Sequence, residues 1–126
     1  MAIARTEFRC LLGSKIIRRS SFDPHETLLD FLRLEARLTG TKEGCAEGDC
    51  GACTVLLGRL RNGVLQYDPV NACIVPIGSV DSAQILTVEH LADAEPHPVQ
   101  QALARDHGSQ CGFCTPGIVM SLAGLQ

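Results

Sequence analysis

Phe8, Cys10 and Leu12 alternate with Glu7, Arg9 and Leu11 over residues 7–12, which places them on one face of a strand. A second strand candidate covers 16–20, and Gly13-Ser14-Lys15 between the two predicts a hairpin. Asp23-Pro24-His25-Glu26 has the form of a helix start, with Asp23 as N-cap, proline at the first helical position and glutamate two positions on. Leu28, Phe31, Leu32 and Ala36 follow at helical spacing and predict one buried face. The 38–44 stretch ends that helix. Apolar strands are predicted over 54–57 and 64–67, joined by the turn signal Asn62-Gly63, with a further strand over 84–87.

The pattern changes after Val88. Short helices are predicted over 88–94, 99–107 and 116–125, and Pro96-His97-Pro98 punctuates them. The order strand, strand, helix, loop, strand, strand, strand suits a small mixed sheet carrying one helix. The fold class is therefore α+β. The change of pattern predicts two units, 1–82 and 83–126.

At 126 residues the chain has room for one ordinary domain or two very small ones. A net charge of −3 with 20% charged residues disfavours a nucleic-acid partner. No apolar run reaches the roughly 18 residues of a membrane span, and the first ten residues lack the apolar core of a secretory signal. These features predict a cytoplasmic protein.

Cysteine changes this plain picture. There are seven, an odd number without an export signal. In a reducing compartment such cysteines bind metal or do redox chemistry more often than they form bridges. Cys45, Cys50, Cys53 and Cys73 follow the pattern C-x4-C-x2-C…C, the spacing of plant-type [2Fe–2S] sites. Gly44 just before the run and the intervening Ala46, Gly48, Gly51 and Ala52 are small, so the backbone can approach a ligand and present N–H groups to an anionic cluster. A structural zinc site also uses four cysteines, but usually as two closely spaced pairs. A Rieske centre requires histidine ligands, and no Cys-x-His pair occurs.

Cys111-Gly112-Phe113-Cys114 is less specific. It fits a redox dithiol, half a zinc site or half an iron–sulfur site. Thr115-Pro116 after it reads as an N-cap and first helical residue, which sets both thiols near a helix N-terminus. The polar run before it, Arg105 to Gln110, lacks the apolar strand of a thioredoxin-type dithiol and favours half a metal site. Cys10 reads as a small core residue. His25, His90, His97 and His107 read as surface or helix-end residues. Lys42-Glu43 beside the first cysteine fits a solvated pair or a docking contact equally.

Thr41-Lys42-Glu43-Gly44-Cys45, Asp49-Cys50-Gly51-Ala52-Cys53-Thr54-Val55, Asn71-Ala72-Cys73, His97-Pro98-Val99-Gln100 and Gly108-Ser109-Gln110-Cys111-Gly112-Phe113-Cys114-Thr115-Pro116-Gly117 together resemble the iron–sulfur subunit of the molybdenum hydroxylases. The resemblance runs over about residues 5–126, with several long motifs in order. Within that family, Glu47-Gly48-Asp49-Cys50-Gly51-Ala52-Cys53 looks most like the xanthine dehydrogenases.

The resemblance implies a β-grasp, ferredoxin-like [2Fe–2S] domain, then the first part of an all-α helical-bundle [2Fe–2S] domain. It implies one cluster on Cys45, Cys50, Cys53 and Cys73, and half the ligands of a second from Cys111 and Cys114. Gln110 matches a position that contacts the pterin of the molybdenum cofactor across the interface. The implied partners are a molybdenum-binding large subunit and an FAD-binding domain or subunit, in a hetero-oligomer. Electrons would run from molybdenum through the second and first clusters to FAD and NAD during purine hydroxylation. The chain itself would be an electron carrier of that oxidoreductase and not its hydroxylation site. Two departures stand out. The family's further Cys-x-Cys pair is absent, and Gln126 falls inside a predicted helix, as in a truncated chain. The competing expectation is a zinc-binding or dithiol interaction domain without electron transfer.

Overall fold

The computed structural model describes residues 7–91 and 95–125. Strands β1 (Phe8–Leu12) and β2 (Lys15–Arg19) form the expected hairpin, in which Lys15 already pairs with Leu12. Strands β3 (Thr54–Arg61) and β4 (Val64–Asn71) form a second, longer hairpin. Its turn residues Asn62 and Gly63 both have positive φ, 52° and 78°, as a two-residue turn between twisted strands requires. Strand β5 (Gln84–Leu86) runs parallel to β1 and antiparallel to β3, completing a five-stranded mixed sheet in the order β2-β1-β5-β3-β4.

Helix α1 (Leu28–Asp30) continues into a wider turn over Phe31–Glu35 and covers one face of the sheet. Leu28, Leu29, Phe31 and Leu32 pack there with Phe8, Cys10, Leu12, Val55, Leu57 and Ile85. Burying these side chains contributes about 1.5–3 kcal/mol each. The helix starts later than expected. Asp23 accepts from the His25 N–H at 2.8 Å and caps only a turn, whereas Thr27 is the N-cap and accepts from the Asp30 N–H at 3.1 Å. Tertiary pairing decides this. The Glu26 carbonyl and Leu28 N–H are held by Ile77 and Val75 at 2.9 and 2.8 Å, so the chain stays extended through Thr27.

Helices α2 (Val88–Leu91), α3 (Pro98–Arg105) and α4 (Thr115–Ala123) follow β5. The predicted end of α2 at 92–94 lies outside the described residues. Helix α3 is capped by His97, which accepts from the Val99 N–H at 3.2 Å, while Gln100 accepts from the His97 N–H at 2.8 Å. Thr115 is not the N-cap of α4. Cys114 holds that position, and the Thr115 hydroxyl pairs instead with Ser109 Oγ at 2.7 Å. Helix α4 lies against β3 and buries Gly117, Val119 and Met120. β3 is thus covered on both faces, and Val55, Leu56 and Leu57 are all buried.

Candidate metal centre

The segment between α1 and β3 carries three of the candidate thiols. Ala46, Gly48 and Gly51 have φ of 57°, 81° and 74°, so the loop turns repeatedly through the left-handed region. Those turns aim backbone N–H groups inward. Cys45 Sγ accepts from the N–H groups of Glu47, Asp49 and Cys50 at 3.4, 3.2 and 3.2 Å. Cys50 Sγ accepts from Cys45 and Ala52 at 3.4 and 3.5 Å. The fourth thiol enters from the short turn Ala72–Ile74 that follows β4. There Gly48 donates to Cys73 Sγ at 3.2 Å, and the Cys73 N–H donates to Cys53 Sγ at 3.5 Å.

Small residues are needed at defined points. A Cβ on Gly44 would meet Cys50 Sγ at 2.7 Å, and one on Gly48 would meet Ile74 at 2.9 Å. Asn71 Nδ2 donates to the Gly48 carbonyl at 3.0 Å and so ties the loop to the segment bearing Cys73. Asn71 stands two residues before Cys73 in the sequence, but nothing local to it signals that contact. Lys42 turns to the Thr39 carbonyl at 2.7 Å, and Glu43 is exposed.

The thiols differ in their surroundings. Cys53 and Cys73 are buried in the core cluster, Cys45 is half-buried and Cys50 is exposed. Backbone N–H groups, that of Glu47 foremost, pull the Cys45 thiol down to about 7 by favouring its thiolate. Burial, followed by the neighbouring Cys53 thiol, pushes Cys73 up to about 11. Among the described residues no group of three or more His, Cys, Asp or Glu side chains is arranged to hold a single metal ion. The hydrogen bonds instead link the sulfurs in two pairs, Cys45 with Cys50 and Cys53 with Cys73.

Cys111 and Cys114 lie apart from this set, exposed, at the start of α4. Gly112 between them has φ 86°. Phe113 in the same segment approaches Gly44, with its Cε1 at 3.6 Å from a Cβ built there, so the two cysteine segments adjoin. Gln110 is exposed beside Cys111. None of the histidines joins either set. His97 caps α3, and the His90 ring accepts from the Thr87 N–H at 2.9 Å.

Two family models match the chain. A 2Fe-2S iron–sulfur cluster binding domain matches residues 17–78, and a [2Fe-2S] binding domain matches residues 87–126. The xanthine dehydrogenase of Blastobotrys adeninivorans is 53% identical over 109 residues, which is 84% of this chain and 8% of that protein. The solved quinoline 2-oxidoreductase of Pseudomonas putida 86 is 30% identical with a TM-score of 0.77, and the match covers 94% of this chain and 68% of that one. The chain belongs to the iron–sulfur domain family of the molybdenum hydroxylases. The aldehyde oxidoreductase of Desulfovibrio desulfuricans ATCC 27774, 34% identical with a TM-score of 0.79, matches 96% of this chain and 13% of its own. This chain spans 8% of the length of the first xanthine dehydrogenases it matches. The molybdenum hydroxylase domains account for the ferredoxin-like mixed sheet and for the helices after β5.

Proposed function

We propose that this chain is the electron-transfer module of a molybdenum hydroxylase resembling xanthine dehydrogenase. Cys45, Cys50, Cys53 and Cys73 would hold one [2Fe–2S] cluster, and Cys111 and Cys114 would give half the ligands of a second. The observation that carries this reading is the set of backbone N–H groups aimed at the four sulfurs. A four-thiolate [2Fe–2S] cluster is an anion, and N–H donors to its sulfurs stabilise it and tune its potential. The two-pair arrangement supports the same reading, since a two-iron cluster takes two thiolates on each iron.

When bound, the cluster supplies one-electron transfer. The protein's own residues position and insulate. Gly44 and Gly48 leave room for sulfur and for Ile74, the buried Cys53 and Cys73 shield one side from water, and the exposed Cys50 marks the open side. The proposed division is a sheet unit followed by a helical unit, read from the sequence as 1–82 and 83–126. The family models match over 17–78 and 87–126, and β5 (Gln84–Leu86), which completes the sheet, moves the proposed boundary to just after residue 86. The proposed partners are a molybdenum-binding subunit, with Gln110 at its cofactor, and an FAD-binding domain or subunit that passes electrons to NAD during purine hydroxylation. Cysteine ligands of this kind suit a reducing compartment, and we place the protein in the cytoplasm.

The test is iron and acid-labile sulfide per chain after anaerobic reconstitution. About two of each are expected from the first site alone. Cys50→Ser should lose the visible spectrum and Cys10→Ser should keep it. Zinc in place of iron, or loss of the spectrum in Cys10→Ser, would overturn the assignment.

A further inference from the structure

Gly117 is buried in the first turn of α4, in ordinary helical conformation. Glycine inside a helix costs about 1 kcal/mol relative to alanine, so its use here is not conformational. A Cβ at this position would run into the carbonyl oxygen of Gly51, with Gly51 C at 3.0 Å and Ala52 Cα at 3.2 Å. These are backbone atoms of the cluster loop and have no side-chain freedom with which to give way. At Gly124, the C-cap of the same helix, the nearest atom to an added Cβ is the tip of Leu56, at 3.0 Å.

The peptide that Gly117 abuts is a particular one. Its carbonyl, on Gly51, accepts from Thr54 N–H at 3.2 Å and Thr54 Oγ1 at 2.7 Å. Its N–H, on Ala52, donates to Cys50 Sγ at 3.5 Å. A peptide unit is a rigid plane, so displacing the oxygen also moves the N–H. We infer that Gly117 is a positioning residue for the first cluster: it lets α4 close on the Gly51–Ala52 peptide and so holds that N–H on the Cys50 sulfur. The inference rests on the proposed ligand set. It gives α4, which starts at Cys114, a direct mechanical link to the potential of the cluster on Cys45, Cys50, Cys53 and Cys73.

The experiment is a potentiometric titration of the reconstituted full chain, followed by visible absorption and electron paramagnetic resonance. An N–H donor to a thiolate stabilises the more negative, reduced state. Gly117→Ala should bind iron like the wild type and shift the first cluster to a more negative potential. The expected size is a fall of at least about threefold in the reduction equilibrium constant, a fraction of what one hydrogen bond contributes. Gly124→Ala should leave the potential in place. Equal potentials in wild type and Gly117→Ala overturn the inference, as does an equal shift in Gly124→Ala. If Gly117→Ala does not fold, Thr54→Val, which removes the hydroxyl anchoring the same carbonyl, should shift the potential in the same direction while Thr54→Ser does not. An unmoved Thr54→Val overturns the inference as well. Failure of the wild type to take up iron and sulfide would sink the ligand set itself, and the inference with it.

Discussion

The Cys10 and Cys45 thiols share one chemistry and differ only in surroundings. Cys10 is 4% exposed in the core, and burial pushes it from its ordinary value near 9 up to about 11. Cys45 is drawn down to about 7 by the backbone N–H groups around it. For Cys10 the folded chain keeps a proton that the unfolded chain gives up, so its contribution is full below about pH 9 and is lost as pH rises toward 11. Cys10→Ala should therefore destabilise most near neutral pH, and its stability deficit should shrink at about pH 10.5. Urea denaturation of wild type and variant at both pH values checks this, and a deficit that does not change with pH would contradict it. The alternation of residues 7–12 made the burial of Cys10 legible. The pull on Cys45 was legible only in outline, because small residues announce exposed N–H groups but not the sulfur each one will reach.

The start of α1 shows a local signal losing to a tertiary one. Asp23-Pro24-His25-Glu26 has the composition of a helix start, and in isolation it would compete to be one. Pairing of residues 26–28 with 75–77 holds the chain extended, and Thr27 takes over as cap. The sequence cannot weigh a partner nearly fifty residues away, so the boundary moved while the buried face of Leu28, Phe31 and Leu32 stayed as read. The hairpin turn at Asn62-Gly63 had no such competitor and folds as its dipeptide predicts. Thr27→Ala should cost about 1 kcal/mol through the lost Asp30 N–H bond. Asp23→Ala, which loses only a turn contact, should cost less. The two midpoints of chemical denaturation decide between the caps, and the reverse order would restore Asp23 as the start.

At the scale of the whole molecule, the order of elements could be read from periodicity, but the parallel pairing of β1 with β5 and the seating of α4 on β3 could not. Both join segments that are far apart in the chain, and only the assembled sheet brings them together. The same assembly sorts the seven cysteines, and surface exposure alone does not sort them by role. Cys50, Cys111 and Cys114 are all exposed, whereas Cys10, Cys53 and Cys73 are buried. Buried thiols resist alkylation whether or not they bind iron, so their protection says little about ligation. Cys50 is the informative position, because it is the one ligand of the proposed first cluster that is fully exposed, so its protection on iron loading reports ligation and not burial. In the iron-free chain, iodoacetamide should label Cys50 along with Cys111 and Cys114. After reconstitution, peptide mapping by mass spectrometry should find Cys50 protected. Cys111 and Cys114 should stay labelled, because the chain holds only half the proposed ligands of a second cluster. Labelling of Cys50 in iron-loaded protein would refute the ligand set. Protection of Cys111 and Cys114 would mean that another chain completes the second cluster, a result that the adjacency of Phe113 and Gly44 already makes geometrically reasonable for two clusters in one module.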